Sequence, residues 1–481
     1  MVKTIGSSGE EQEIARLVFL GQQEISRLKG QRGLFVSERD ALVDSYLSSL
    51  SNADIRTVGP ELVFGRIYDA IGFNGIGEEL FRHLVIARLA FPLSKLKTIE
   101  YLYRFQGVLV NINTVYRFLD KLNSRIKEKV ERIAFEHTLK TLGGRISIVF
   151  YDMTTLYFEA SDEDDLRRTG FSKDGKHQQP QIYIGLLVGL GGYAIGYDIF
   201  EGNIYEGDTL IPFIETITKK FNLGKPVVVA DAGLLSYKNI EALEDQSYQY
   251  IIGARLKNAE GALQQQITRH IGEDGQAKSF FTRNNKRLIV SFSKVRAVKD
   301  EHNRRRGLQR LEKQLRSGRL TKAHINNKGY NKYLKMEGEL NITIDYEKFE
   351  RDKLWDGLKG YITNTTLSEK EVLDNYRNLW HIERAFRMSK TDLRIRPVYH
   401  HLRHRIQAHI CLSFTAYCIY KELERVLKKE RSTISLQAAA ELTHTIYQIT
   451  VSLPESNHTK TYLLRMDDKQ DELRRIIEKN F

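Results

Sequence analysis

Two aspartates and one glutamate, far apart in the chain, stand where a carboxylate calls for an explanation. Asp152 interrupts the strand-like run SIVFYDMTTLYF, and a charge among such apolar neighbours is costly unless it is paired or binds a cation. Asp231 closes the apolar PVVVA, and the small Ala232 and Gly233 that follow leave its side chain open. Ligands of open α/β sheets gather at such strand ends. Glu383 lies in YRNLWHIERAFRMSKTDL. If that stretch is one helix, Tyr376, Glu383 and Lys390 share a face, because seven residues drift only about 20° from two full turns. Arg387, four residues after Glu383, joins them.

Singly, each acid has an ordinary explanation. An Asp after an apolar strand often caps the next helix, and Glu383 with Arg387 is an i,i+4 ion pair. Together, two strand-borne aspartates and a helix-borne glutamate can hold two divalent cations, which activate an attacking oxygen and stabilise the leaving 3′ oxygen of a phosphodiester. Mg²⁺ suits such a site, with Mn²⁺ able to substitute, because hard carboxylate oxygens fill only part of its shell and leave room for water and phosphate. On this reading Arg384, Arg387 and Lys390 hold DNA phosphates beside the metals, and Tyr376 hydrogen-bonds one.

The elements that must position these groups follow from periodicity. Three β-rich runs, Ile146–Phe158, Ile182–Leu190 and Tyr193–Phe200, are followed by a helix over Leu210–Phe221, a strand over Pro226–Ala230, a helix over Tyr237–Leu243 and a strand over Tyr248–Arg255. Three strands and then alternation of helix and strand predict an α/β fold, a mixed sheet with flanking helices. One more strand is expected at Gly360–Asn364, and one long helix at Ser368–Asp392. Ile182–Phe200 is apolar enough to suggest a membrane span, but its Gly189-Leu190-Gly191-Gly192 centre and its Asp198 read as a buried hairpin. No apolar segment follows the basic residue of the N-terminus, so no signal peptide is expected. Cys411 and Cys418 lie on one side of an apolar helical stretch and read as core residues in a reducing compartment, not as metal ligands.

Before Gly143 the chain reads as helical. Leu96–Phe105 and Thr114–Leu122, the second capped by Asn113 and offering Arg117 and Lys121, could form a helix-turn-helix pair over a DNA groove. The net charge of +13 implies an anionic partner, most commonly nucleic acid. That excess is local: from Lys278 to Lys335 there are 18 Lys or Arg against three acids, Asp300, Glu301 and Glu312. Lacking acids to neutralise it in cis, this stretch, with Arg304, Arg305 and Arg306 at its centre, is expected to touch phosphates.

The sequence resembles the DDE transposases of bacterial insertion sequences, in the insertion-sequence-four superfamily. The resemblance is carried by ARLAFPLSK ending at Lys95, YDMTTLYFE (151–159), GFSKDGKHQQPQIYIGLLV (170–188), FEGN (200–203), VVVADAGLLSYKNI (227–240), YIIGARLK (250–257) and YRNLWHIERAFRMSKTDLRIRPVYHH (376–401). It implies an RNase H-like catalytic core and a triad of Asp152, Asp231 and Glu383. It also implies cleavage at the terminal inverted repeats of double-stranded DNA with transfer to target DNA, by a homodimer assembled on DNA in the bacterial cytoplasm and with no membrane partner. The superfamily signature Tyr-x2-Arg-x3-Glu-x6-Lys is met by Tyr376, Glu383 and Lys390, but its Arg position is Leu379, and Arg377 or Arg384 is the available substitute.

The expected organisation is a helical DNA-binding region at 1–140, a first part of the core at 141–256 and a basic insertion at 257–350. A second part of the core with the glutamate helix follows at 351–400, and a helical C-terminal region at 401–481. Two other functions fit the same features: a non-catalytic DNA-binding or repressor protein, and an RNase H-like nuclease without strand transfer.

Overall fold

Runs of alternating and wholly apolar residues decide which strands form and what each face buries. In the computed structural model these runs become β1 (Ile148–Tyr157), β2 (Gln181–Val188), β3 (Ala194–Glu201), β4 (Val227–Ala230) and β5 (Tyr250–Ala254), followed by β6 (Ala277–Phe281), β7 (Arg287–Phe292) and β8 (Leu358–Thr363). They form one eight-stranded sheet in the order β3-β2-β1-β4-β5-β8-β7-β6. β1, β2 and β3 are antiparallel, β4 lies parallel to β1, β5 parallel to β4, and β8 antiparallel to β5. This is the mixed α/β sheet with flanking helices that an RNase H-like core requires. The structure describes residues 4–28, 38–122, 124–159, 162–171, 175, 178–234, 236–318, 320–326, 329–337, 341–396, 398–452 and 458–481. Residues 172–174 and 176–177 of the 170–188 block, and Pro397, therefore lie outside the described residues.

The helices that concern the site are α1 (Glu79–Ala90), α2 (Lys95–Tyr101), α3 (Ile112–Lys121), α4 (Leu210–Phe221) and α5 (Tyr237–Asp245), then α6 (Lys294–Arg316), α7 (Glu369–Arg377), α8 (Trp380–Thr391) and α9 (Arg403–Lys429). Successive side chains of a strand point to opposite faces. Val149 and Tyr151 of β1, with Val228 and Ala230 of β4, join Phe213 of α4 and Ile240 of α5 in one core. Phe150 and Leu156, with Val229 and Ile251, face Ile382 and Phe386 of α8 and the apolar side of α9. By alternation Asp152 and Asp231 belong to the α8 side. α9 is almost wholly buried. Cys411 and Cys418 lie within it as unbonded thiols, and burial pushes the Cys411 thiol up to about 12.

The apolar hairpin at Ile182–Phe200 is β2 and β3, and among the described residues no helix is long and apolar enough to cross a membrane. Elsewhere the structure departs from expectation. The long helix at Ser368–Asp392 is two helices: at Asn378 and Leu379 the hydrogen bonding tightens, with Leu379 N–H donating to Tyr376 O and Ile382 N–H to Leu379 O. Seven-residue spacing therefore does not carry across from Tyr376 to Glu383. The cap of α3 is Asn111, whose side chain accepts from Asn113 N–H, and not Asn113 itself. The terminal regions are not purely helical, since Tyr447–Ser452 and Thr459–Leu463 form a hairpin against Ile55–Thr57. Within the basic stretch, β6 and β7 extend the central sheet through β8.

Part of the basic charge in that stretch is neutralised by acids distant in sequence. Lys286 pairs with Glu244, Arg287 with Glu369 at 3.4 Å, and Lys332 with Asp352 at 2.5 Å. Arg304 is buried, 2.8 Å from Asp356 and stacked over Phe349, so it is a structural residue here. Arg305 pairs with Glu301 on the exposed side of α6, where Arg306 also lies. Arg304→Ala leaves Asp356 without its partner in a half-closed site and should cost about 3 kcal/mol or more of unfolding free energy in a urea titration. Arg306→Ala, on the surface, should change it by less than about 0.5 kcal/mol.

Candidate active site

The parallel pairing of β1 with β4 sets Ile148 beside Val227 and Tyr151 beside Ala230. The next step in that register is Asp152 and Asp231. The same line continues across the sheet. Asp152 pairs with Leu186, which pairs with Tyr197, and on the other side Gly253 pairs with Tyr361, which pairs with Ile289. Ala230 pairs with Ile252, so Asp231 stands next to Gly253. One transverse row thus reads Tyr197, Leu186, Asp152, Asp231, Gly253, Tyr361, Ile289. Its apolar members all belong to the core on the α8 side. The two carboxylates are the break in an otherwise apolar line.

Glycine at 253 makes room for Tyr376. A Cβ there would stand 2.5 Å from the Tyr376 hydroxyl and 3.0 Å from the Ala232 nitrogen. Tyr376, buried at the end of α7, also packs edge-on against Tyr361 with ring centroids 4.7 Å apart. Burial first, and then the charges of Asp231, Tyr361, Glu383 and Asp152, raise its phenol well above the ordinary tyrosine range, so it is a hydrogen-bond donor at any physiological pH.

α8 turns Ile382, Ala385 and Phe386 to the core and leaves Glu383 and Arg387 exposed. Asp231, Glu383 and Tyr376 line one open cavity of about 660 Å³, together with Lys359, Arg377 and Arg296. Asp152 lies one strand further along. Its carboxylate accepts Met153 N–H at 2.8 Å, and that of Asp231 accepts Ala232 N–H. Among the described residues no group of three or more His, Cys, Asp or Glu is gathered tightly enough to hold a metal ion. The donor chemistry itself, carboxylate oxygens at an open cleft, is of the kind that hard divalent cations take.

The cations divide by their partners. Arg384 is paired with Glu424 of α9 and lies over Trp380, and it is not among the residues that line the carboxylate cavity. Lys390 borders a small cavity with Thr154 and Leu156, on the Asp152 face of β1. Arg377 borders the carboxylate cavity and pairs with Asp374 at 3.0 Å. Leu379 is buried at the cavity wall, so no cation reaches it from that position. Lys359 does reach it. Its ammonium lies 4.5 Å from the centroid of Tyr376, and its pKa is lowered by burial and by Arg296 while Asp231 and Glu383 raise it. Sequence reasoning missed Lys359 because no spacing links β8 to α7; its alternation with Tyr361 on the strand was the available signal.

Comparisons with known proteins bear on this arrangement. A piggyBac transposase synaptic complex with hairpin DNA is 9% identical, with a TM-score of 0.39 over 76% of this chain and 69% of that one. A Mos1 transposase paired-end complex with the left transposon end is 12% identical, with a TM-score of 0.17 over 33% of this chain and 53% of that one. No curated protein matches the chain. The family described as Transposase DDE domain matches residues 143–419, which is more than half of the chain and runs from β1 through α9. By that match over more than half of its length, the chain belongs to the DDE-domain transposases.

Proposed function

We propose that this transposase cuts double-stranded DNA at the terminal inverted repeats of a bacterial mobile element and joins the freed 3′ ends to target DNA, with Asp152, Asp231 and Glu383 as its catalytic carboxylates. The observation that carries this reading is the register that makes Asp152 and Asp231 neighbours on the face covered by the Glu383 helix. Mg²⁺, or Mn²⁺ in its place, supplies at such a site activation of the attacking oxygen and charge stabilisation of the leaving 3′ oxygen. Asp152, Asp231 and Glu383 are the carboxylates that would hold it. The chain's own residues do the rest. Tyr376 donates its hydroxyl proton to a phosphate oxygen, and Lys359 brings to the cavity the positive charge that Leu379 lacks. Arg377, Arg387, Lys390, Arg305 and Arg306 hold the DNA backbone on either side. Two copies of the chain, one on each element end, form the working assembly in the cytoplasm.

Asp152→Asn, Asp231→Asn and Glu383→Gln should each slow Mg²⁺-dependent cleavage of a duplex carrying the element ends by on the order of 10²–10³-fold or more, with duplex binding retained. Variants that cut as fast as the parent would remove the triad assignment. A parent that binds duplex but gives no product with either metal would leave a DNA-binding protein. A parent that breaks DNA but never yields joined 3′ ends would leave a nuclease.

Gly253→Ala tests the support of the site rather than its ligands. Its new methyl group must displace the Tyr376 hydroxyl, and a displacement of this kind costs about 10²-fold in rate. Lys359→Met should lower the slope of log affinity against log salt for duplex DNA by about 1. An unchanged slope would mean that Lys359 meets no phosphate.

A further inference from the structure

Away from the carboxylate cavity, and sharing no lining residue with it, a second cavity of about 340 Å³ opens where α1, α2 and α3 meet the segment between α8 and α9. Six basic side chains line it: Arg88, Lys95, Arg394, Arg396, His400 and His409; no acid is among its described lining residues. Elsewhere in this protein buried cations are matched by acids, as Arg304 is by Asp356 and Lys421 by Glu424. Here they are not. Lys95 is only 7% exposed and has no hydrogen-bond or ion-pair partner among the described residues. Arg88, also 7% exposed, reaches only the carbonyl oxygens of Leu393 and Arg394, at 3.5 and 3.4 Å. His409 donates Nε2–H to the Ile395 carbonyl at 2.8 Å, while its buried Nδ1, the lone-pair nitrogen of the ring, has no partner among the described residues.

Burying charge without a counter-charge is among the costliest arrangements a fold can hold. The strain shows in the groups themselves: burial and the neighbouring Arg88 hold the Lys95 ammonium well below the usual lysine range, and burial, Lys95, Arg405 and Arg88 push His400 down to about 4. Arg394 adds a backbone cost, since it lies at φ 44°, a conformation that a non-glycine residue takes up only where its surroundings impose it. An anion would supply the counter-charge that Lys95 and Arg88 lack. The cations arrive from three sides, Arg88 on α1, Lys95 on α2 and Arg394 on the segment after α8, and the tetrahedrally spread oxygens of a phosphate group suit them better than the two coplanar oxygens of a carboxylate.

We infer that this cavity is a phosphate-binding site, distinct from the carboxylate cleft, in which Lys95, Arg88 and Arg394 receive a phosphate group at the edge of the α2–α3 helix pair. The phosphate chemistry stands independently of the proposed function; DNA backbone as its source rests on that reading. Seated there, one backbone phosphate anchors the duplex beside α3, whose Arg117 and Lys121 are exposed, and gives the helix pair a fixed register on DNA.

The test uses the full chain and two variants. Lys95→Met keeps the apolar stem and removes the charge; Arg394→Asn removes an exposed cation while keeping a residue that tolerates φ 44°. Thermal unfolding in a phosphate-free buffer is compared with unfolding in millimolar inorganic phosphate, with sodium chloride matching the ionic strength. Binding of a labelled duplex is followed as salt is raised. The parent should be stabilised by phosphate beyond the chloride control, and both variants should lose most of that shift. For duplex DNA each variant should bind about tenfold more weakly, with a salt slope lower by about 1. Without phosphate Lys95→Met should melt no lower than the parent, because an uncompensated buried charge has gone.

A variant-sensitive response to duplex alone identifies the ligand as backbone phosphate, and one to inorganic phosphate alone identifies a free phosphate ion; either supports the site. If neither probe distinguishes the parent from the variants, the inference is overturned. A parent that binds no duplex defeats the proposed function instead, and the inorganic phosphate arm still decides this site.

Discussion

The structure depends on one pairing above all, the parallel alignment of Ile148–Tyr151 with Val227–Ala230. Parallel strands need a crossover of a dozen or more residues, and here the crossover contains β2, β3 and α4. The chain can satisfy the antiparallel strands β1 to β3 locally, but β4 must find β1 across all of that. Once it does, register leaves no freedom. A slip of one residue would send Val228 and Ala230 to the α8 side and Asp231 into the core packed under α4 and α5. Apolar alternation on both strands thus enforces the neighbourhood of Asp152 and Asp231.

The glutamate arrives by a different kind of constraint. α8 is fixed by burial of Ile382, Ala385 and Phe386, and by the ion pair of Arg384 with Glu424 on α9. α9 in turn carries Glu422 beside His137 and Arg425, and Lys421 beside Glu424. Buried ion pairs of this kind add little net stability, but they set rotation: a turn of α8 that moved Glu383 out of its cavity would pull Arg384 away from Glu424, leaving that carboxylate to Lys421 and Lys428. The tightened turn at Asn378 and Leu379 lets α7 lay Tyr376 into the space above Gly253 while α8 follows its own axis.

What was legible in the sequence follows from which interactions are local. Alternation and apolar runs gave the strands around Asp152 and Asp231 and the hairpin at Gly189–Gly192, because each is decided within a few residues. The helix expected from Ser368 starts where α7 does, with Ser368 as its cap, but nothing in the spacing marked the end of α7, since the break at Asn378 is a change of hydrogen-bond pattern and not of composition. The roles of Arg304 and Arg384 were also out of reach. Counting charge in a window assumes that neutralisation happens nearby in sequence, whereas Asp356 and Glu424 are brought to them only by the fold. Lys359 was hidden for the opposite reason: a single lysine in a short strand has no pattern to stand out from until Tyr376 covers it.

These cations separate into two populations once their partners are known. Arg304, Arg384, Lys220 and Lys332 are each held by an acid, and they serve the architecture. Lys359 has a chemistry-bearing tyrosine and two carboxylates nearby, and Lys95 has no acid at all among the described residues. A basic protein that binds a polyanion needs positive charge left over after folding, and net charge alone does not say where it is. The fold does, by setting acids against the cations that brace the sheet and placing none among the described residues that line the Lys95 cavity. The electrostatic cost of folding is thereby concentrated where a phosphate can cancel it, so that binding and the relief of strain become the same event.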